Sequence, residues 1–357
     1  MKIKKLECWN QKLSLNEPYA IAYETINYSY NVFLRAITDN GFIGWGCAAP
    51  DKGVTNETHE TVQTAFTNSI EPILKGSNPF HYAAIHEELK KELATQPSAQ
   101  AMADMLLYDL IAQKAGVPLY MLLGGFREFI PTSITIGILP LDETIDKAKH
   151  YVKKGFSILK IKGGKDLEID IDRVHKIREI FGKTIEIRFD ANQGYTAEEA
   201  IQFISRTSQD GIELLEQPIS KNEEHLLGKV SQNISVPVMA DESIMNLKDV
   251  FRLTRNDLTD MINIKLMKVG GITEALHINS VARAAGVEVM VGCMDESSLS
   301  ISAGLHFALA RPNIVYADLD SFFEISDDPF KGLFILHNGT LYPRNRNGIG
   351  VISKSVK

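Results

Sequence analysis

The stretch Ser157-Ile158-Leu159-Lys160-Ile161-Lys162-Gly163-Gly164 alternates in the manner of a β-strand. Ile158, Lys160 and Lys162 fall on one face, and Leu159 and Ile161 on the other. Two lysines on one face of a strand that should be buried carry a cost, because desolvation disfavours the ammonium form. The same desolvation draws a lysine pKa towards neutrality and makes the amine a usable base. Taken alone, the stretch reads equally well as an edge strand with solvated lysines. Its surroundings decide between the two.

Outward from this stretch, the chain has a regular beat. Strand-like segments at 133–138, 157–162, 185–190, 212–216, 236–241, 261–266, 287–292 and 314–319 alternate with helical segments at 142–154, 168–181, 197–208, 223–231, 247–256, 273–285 and 298–310. Eight strands alternating with seven helices predict a parallel α/β architecture. The units are short and even, which favours a closed (β/α)7β TIM-like barrel over an open doubly wound sheet. No Gly-x-Gly-x-x-Gly follows any of these strands, so the dinucleotide signature of the open alternative is missing.

Before the barrel, Lys2–Trp9 and Asn31–Thr38 read as strands. Asp39-Asn40-Gly41 is a turn signal, and Phe42-Ile43-Gly44-Trp45-Gly46 is the return strand. Loops are expected around Asn16-Glu17-Pro18-Tyr19 with Glu24, and at Ala49–Gly53. Helices are expected at 57–95 and 97–116, the second with Ala101, Met105, Leu106, Leu110 and Ile111 on an apolar face. The expected organisation is an α+β capping domain over 1–125, the barrel over 126–321, and a turn-rich segment over 322–357 that returns to the N-terminal sheet.

The 357 residues are 44% hydrophobic and 23% charged, ordinary values for a globular chain. A net charge of −7 argues against nucleic acid as a partner. No apolar run has the length of a membrane span. The N-terminus has basic residues but no apolar signal core. The three cysteines, Cys8, Cys47 and Cys293, are far apart, which points to a reducing compartment and no zinc site. The expected location is the cytoplasm.

Barrel enzymes carry their chemistry at the carboxyl ends of the strands. Here the third, fourth and fifth strands end in Asp190, Glu216 and Asp241, separated by 26 and 25 residues, one βα unit each. Neighbouring strands lie roughly 5 Å apart, so the three carboxylates converge and need a counter-charge. A hard divalent cation such as Mg2+ suits an all-oxygen ligand set. Any one of these acids alone reads as a helix N-cap or a solvated loop residue; three at matching strand ends read as a site. Lys265 lies 24 residues after Asp241, on the sixth strand. Strands two and six of a barrel face each other, so Lys162 and Lys265 would flank the metal. Two bases on opposite faces of one carbon exchange a proton and invert it, while the metal holds the developing enolate. Lys268 is the rival base. Strand alternation turns it to the other face or into the next loop.

These residues together resemble the enolase superfamily, in its muconate-lactonising-enzyme subgroup. The resemblance rests on Lys160-Ile161-Lys162, Asp190-Ala191-Asn192, Glu216-Gln217-Pro218, Asp241-Glu242-Ser243 and Lys265 before Gly270-Gly271, with Gly44-Trp45-Gly46 in the cap. It implies Asp190, Glu216 and Asp241 as Mg2+ ligands, Lys162 and Lys265 as acid/base residues, and Lys160 as the tuner of Lys162. The subgroup holds muconate cycloisomerases, o-succinylbenzoate synthases, N-succinylamino-acid racemases and dipeptide epimerases, and the barrel set does not choose among them. Ala317-Asp318-Leu319-Asp320 is similar to the Asp-x-Asp with which dipeptide epimerases hold the substrate α-ammonium. Its plain alternative is a solvated turn or an N-cap near Ser321. Thr135, Cys293 and Met294 sit where the family's pocket is lined.

Epimerases of L-Ala-D/L-Glu carry an arginine in the first capping loop, where this chain has Glu24. Asp295 replaces a residue that is more often apolar. Both acids would repel a glutamate side chain and favour a neutral or cationic second residue, unless Glu24 turns outward and Asp295 caps a helix. Tyr19 and Asp51 are further candidates for that contact. The implied partner is a small dipeptide, with neither nucleic acid nor membrane, and relatives are often symmetric homo-oligomers. A non-catalytic barrel is the competing class of reading.

Overall fold

The computed structural model describes residues 1–20 and 25–352. Between Ile134 and Asp318, eight strands form one sheet in unbroken chain order. The pairings given within it are parallel. Helices cover the outer face and side chains fill the inner one, which is why strands such as Ile212–Glu216 and Met261–Lys265 are apolar runs. The sheet curls until its first and last strands meet. The Ser133 N–H donates to the Ala317 carbonyl at 3.2 Å, and the Ser133 hydroxyl to Asp318 Oδ1 at 2.6 Å. The result is the nearly closed barrel that the alternation predicts.

Leu214, Met239, Met261 and Met290 cluster with Tyr316 below the carboxyl ends, and the Arg188 guanidinium lies over the Tyr316 ring. Above them, Lys162 pairs with Asp190 and Asp190 with Glu216 in one register row. Lys265, Gly292 and Asp318 form another row. The second and sixth strands stand four places apart in the ring of eight, on opposite sides.

The N-terminal residues form an antiparallel sheet of Ile3–Ala20, Thr25–Thr38 and Ile43–Ala48. The expected loop at Asn16–Tyr19 is instead part of the first strand, as a register shift between Ser14 and Tyr19. Residues 15–18 have no partner on the second strand across that shift, as bulged residues are left out of the ladder. Glu24 lies outside the described residues, as does the side chain of Tyr19. The expected helical stretch at 57–95 is broken into His59–Ala65, Glu71–Leu74 and Tyr82–Glu92, with a π-turn between the first two and Gly76 and Pro79 interrupting the rest.

Helix Pro97–Ala115 was expected to show one apolar face. Its residues from Ser98 to Ala112 are all buried, because the cap sheet lies on one side and the barrel on the other. The sheet comes close enough to this helix that a Cβ on Gly46 would sit 2.0 Å from the Met102 carbonyl oxygen. That contact explains Gly46, and a Cβ on Gly44 would likewise sit 2.4 Å from the Leu110 side chain.

The tail rejoins the N-terminal sheet for a short distance. Leu15 bridges Ile325, and the Phe330 ring lies against Phe33 and Trp45 at 5.0 and 5.3 Å. The chain then leaves that sheet. Its hairpin, Phe334–His337 and Thr340–Pro343, pairs with Ile130–Pro131 just before the first barrel strand. No helix among the described residues is long and apolar enough to cross a membrane.

Candidate active site

At the carboxyl ends of the strands lies a cavity of about 670 Å³, roofed by Glu17, Pro18, Ile26, Asp51 and Val54 of the cap. Asp190, Glu216 and Asp241 converge at these strand ends, and Asp241 lines the cavity. One carboxylate oxygen from each lies within 4.8 Å of the others, and all three side chains are buried. The donor set is all oxygen and carries more negative charge than a dry site tolerates alone, so it fits a hard divalent cation.

Four lysines crowd this triad. Lys160 Nζ lies 3.1 Å from Asp190, 2.8 Å from Glu216 and 2.8 Å from Asp318. Lys162 Nζ donates to Asp190 Oδ2 at 2.6 Å. Lys265 Nζ lies 2.8 Å from Asp241 Oδ2. Lys268 Nζ donates to the Asp241 carbonyl at 2.5 Å and also to its Oδ1. Burial works against ionisation of every carboxylate here. At Asp190 and Asp241 the adjacent lysines overcome it and hold the groups below the usual range. At Glu216 burial and the charge of Asp190 prevail and push the carboxyl to about 7.

The lysines differ from the sequence expectation in two respects. Burial was expected to lower their pKa values. It does act that way, but Asp318, Glu216 and Asp190 outweigh it at Lys160, and Asp241 outweighs it at Lys265, so both are held well above the usual lysine range. Lys268 was expected to point away. It is fully buried in the site, and there burial prevails and lowers it. The chain turns helical at Leu266–Val269 directly after Lys265. On a helix a spacing of three returns to nearly the same face, whereas on a strand it does not.

Asp318 and Asp320 play unequal parts. The strand ends at Asp318, and Asp318 is already engaged by Lys160 and Ser133. These partners hold it down at about 2 against its burial. Asp320 starts the short helix Ser321–Glu324 without making a side-chain cap. Its Oδ2 accepts from the Thr135 N–H at 2.6 Å, and Cys293 Sγ donates to its Oδ1 at 3.8 Å. Burial and the charge of Asp318 raise it to about 7. Thr135, Cys293, Met294, Asp295 and Asp51 all line the cavity. Asp295 is tied to the cap through its carbonyl, which accepts from the Ser29 hydroxyl at 2.6 Å.

Asn192 and Gln217 stood out in the sequence only as parts of motifs, and Arg173 and Gln193 not at all. Gln217 accepts the N–H of Asp241 at 2.8 Å and donates to Ser243 Oγ at 2.9 Å, so it ties the fourth strand end to the fifth. Arg173, buried on the helix after the second strand, donates to the Lys162 carbonyl at 3.0 Å. Asn192, Gln193 and Gln217 hold left-handed backbone (φ 42°, 67° and 31°) at the ends of the third and fourth strands. Such strain collects at functional sites.

The description "Mandelate racemase / muconate lactonizing enzyme, N-terminal domain" matches residues 5–124, and "Enolase C-terminal domain-like" matches residues 143–354. The L-Lys-D/L-Arg epimerase of Desulforapulum autotrophicum is 41% identical over 352 residues, spanning 98% of this chain and 99% of that protein. The structure of a substrate-liganded L-Ala-D/L-Glu epimerase from Bacillus subtilis superposes with a TM-score of 0.96 at 37% identity, covering 99% of both chains. A dipeptide epimerase from Methylococcus capsulatus, complexed with Mg and L-Arg-D-Lys, gives 0.94 at 35% identity, covering 99% of this chain and 100% of the other. By its barrel, its converging acids and these matches over nearly the whole chain, the protein belongs to the mandelate racemase/muconate lactonizing enzyme family of the enolase superfamily.

Proposed function

We propose that this chain is a Mg2+-dependent dipeptide epimerase that inverts the α-carbon of the C-terminal residue. The observation that carries the reading is the pair Lys162 and Lys265, one on each side of a buried acidic triad, with Asp320 at the edge of the same cavity. Asp190, Glu216 and Asp241 would hold the cation. When bound, it supplies positive charge against the negative charge that builds on the substrate carboxylate as the α-proton leaves. Lys162 and Lys265 move that proton. The amine on one face takes it, and the ammonium on the other face returns one, so the configuration inverts. Run in reverse, the lysines exchange roles.

Asp320 anchors the substrate α-ammonium, positioned by the Thr135 N–H. Lys160 neutralises Asp318 and stitches it to the triad, which leaves Asp320 as the carboxylate available to a cation. Asp51 and Asp295 line the same cavity and favour a neutral or cationic second residue over an acidic one. The likeness to an L-Lys-D/L-Arg epimerase and to a structure holding L-Arg-D-Lys supports that preference.

The test is incubation of an L,L-dipeptide library, varied at the second position, in deuterated water with Mg2+. The expected result is α-deuterium and a new diastereomer, strongest for Lys or Arg at the second position and weakest for Glu. Absence of exchange with every dipeptide rules the reading out. Equal rates for Glu and Lys rule out only the preference.

A further inference from the structure

Besides Glu216 Oε2 and Asn263 Oδ1, two polar atoms beside the triad have no hydrogen-bond partner among the described residues: Asn192 Oδ1 and Glu242 Oε2. Neither residue is one of the three converging ligands. Both line the cavity and are only 4% and 6% exposed, so bulk water does not satisfy them. They are joined to each other, because Asn192 Nδ2 donates to Glu242 Oε1 at 3.1 Å. That bond fixes the orientation of the amide and leaves its oxygen as the free acceptor.

The two side chains are placed by the strand ends that place the triad. Asn192 follows Asp190 by two residues, and its N–H donates to Asp190 Oδ1 at 2.9 Å. Glu242 follows Asp241 directly, behind the Gln217 clamp. An unmet buried acceptor costs about 1–3 kcal/mol, and the left-handed backbone of Asn192 adds to the cost. Two adjacent acceptors call for a donor. The nearby ammonium groups are committed, Lys162 to Asp190, and Lys265 and Lys268 to Asp241.

Mg2+ parts with its hydration water reluctantly and keeps several waters when few protein ligands bind it. Those waters are strong donors directed away from the ion. We propose that Glu242 and Asn192 form an acceptor pair that holds hydration water of the cation at the triad. They are thus outer positioning residues for the metal and not direct ligands. The inference rests on the reading that Asp190, Glu216 and Asp241 bind Mg2+. Residues of this kind typically set metal affinity by 10–100-fold.

The experiment titrates Mg2+ into the metal-stripped full-length chain by calorimetry, for the wild type, Glu242→Gln and Asn192→Gly. Glycine accepts the left-handed backbone at position 192 while removing the amide. Bound water is counted separately by water-proton relaxation with Mn2+. The expected result is Mg2+ affinity at least tenfold weaker in both variants, an unchanged Mn2+ water count in Glu242→Gln, and a metal-free melting temperature no lower than wild type. If Glu242→Gln does not fold, the Asn192→Gly affinity decides. Unchanged affinity in the folded variants, or a lower metal-free melting temperature with unchanged affinity, overturns the proposal. A gain of one bound water in Glu242→Gln also overturns it, since Glu242 would then be a direct ligand. Failure of the wild type to bind Mg2+ is a separate outcome that removes the underlying metal reading.

Discussion

Lys162 and Lys265 reach one acidic triad from opposite sides of the barrel, the first 2.6 Å from Asp190 Oδ2 and the second 2.8 Å from Asp241 Oδ2. If they are the two bases, each serves one face of the substrate α-carbon. Lys265→Ala and Lys162→Ala are then each expected to lower epimerisation by at least about 10³-fold, in the upper range for a general acid–base group. The measurement is polarimetry or mass shift in deuterated water, from both diastereomers. Two-way activity surviving in Lys265→Ala would move the role to Lys268, whose ammonium binds the same Asp241.

Asp320 supplies a pH dependence. Its carboxyl is raised to about 7 by burial and by Asp318, against the Thr135 N–H that lowers it, with Lys160 and the Cys293 thiol also close by. On the proposed reading, only the ionised form attracts the substrate ammonium. As pH falls below about 7, kcat/KM for a dipeptide should drop towards tenfold per pH unit. Asp320→Asn should lose that inflection and fall at least about 100-fold at pH 8, as expected when one partner of a buried charged pair is removed. A wild-type profile flat between pH 5.5 and 8 would contradict the assignment.

Metal removal offers a stability readout. A buried triad that binds a cation only when folded gains stability by linkage, about 2.7 kcal/mol at a hundred times Kd. Mg2+ added to chelator-treated protein should raise the melting temperature by several degrees and restore activity. Asp241→Asn should abolish both effects. No thermal shift at any Mg2+ concentration would sink the metal assignment.

A second pH effect belongs to the joint between cap and barrel. His86 of the cap sits between Asp104 and Glu274, with Lys90 on the same Glu274. Burial lowers its pKa, but the two carboxylates prevail and raise it from 6.5 to about 9. The fold therefore favours the protonated ring. That stabilisation is complete below about pH 6.5 and is lost as pH rises through about 9, on the order of 3 kcal/mol for a shift of this size. Denaturant unfolding at pH 6, 8 and 10 should show the decline, and His86→Gln should flatten it. Equal slopes for the two proteins would disprove the role.

Much of the molecule was legible in the sequence, for local reasons. A strand points alternate residues to opposite faces, so the alternation in Ser157–Gly164 put Lys160 and Lys162 together before any fold was known. The βα repeat carries a near-constant length, so Asp190, Glu216 and Asp241 at equivalent strand ends had to converge. Gly41 in the expected turn (φ 84°) and Asp39 before it follow the same local logic.

Other features depended on contacts between distant segments. Lys268 entered the site because the chain after Lys265 turns helical, and the helical period differs from the strand period. Helix Pro97–Ala115 lost its solvent face because two layers cover it, which no single-helix pattern records. Asp318 and Asp320 look alike as Asp-x-Asp. Only the folded barrel gave one of them to Lys160 and set the other against the Thr135 N–H at the cavity wall. The tail hairpin pairs with Ile130–Pro131, a partner far from it in the chain, and that pairing satisfies backbone groups of both segments. The sequence by itself determined which residues meet at the strand ends, since period and spacing are covalent properties of the chain. Tertiary structure decided which charge each of them faces, since that depends on what burial and packing bring alongside.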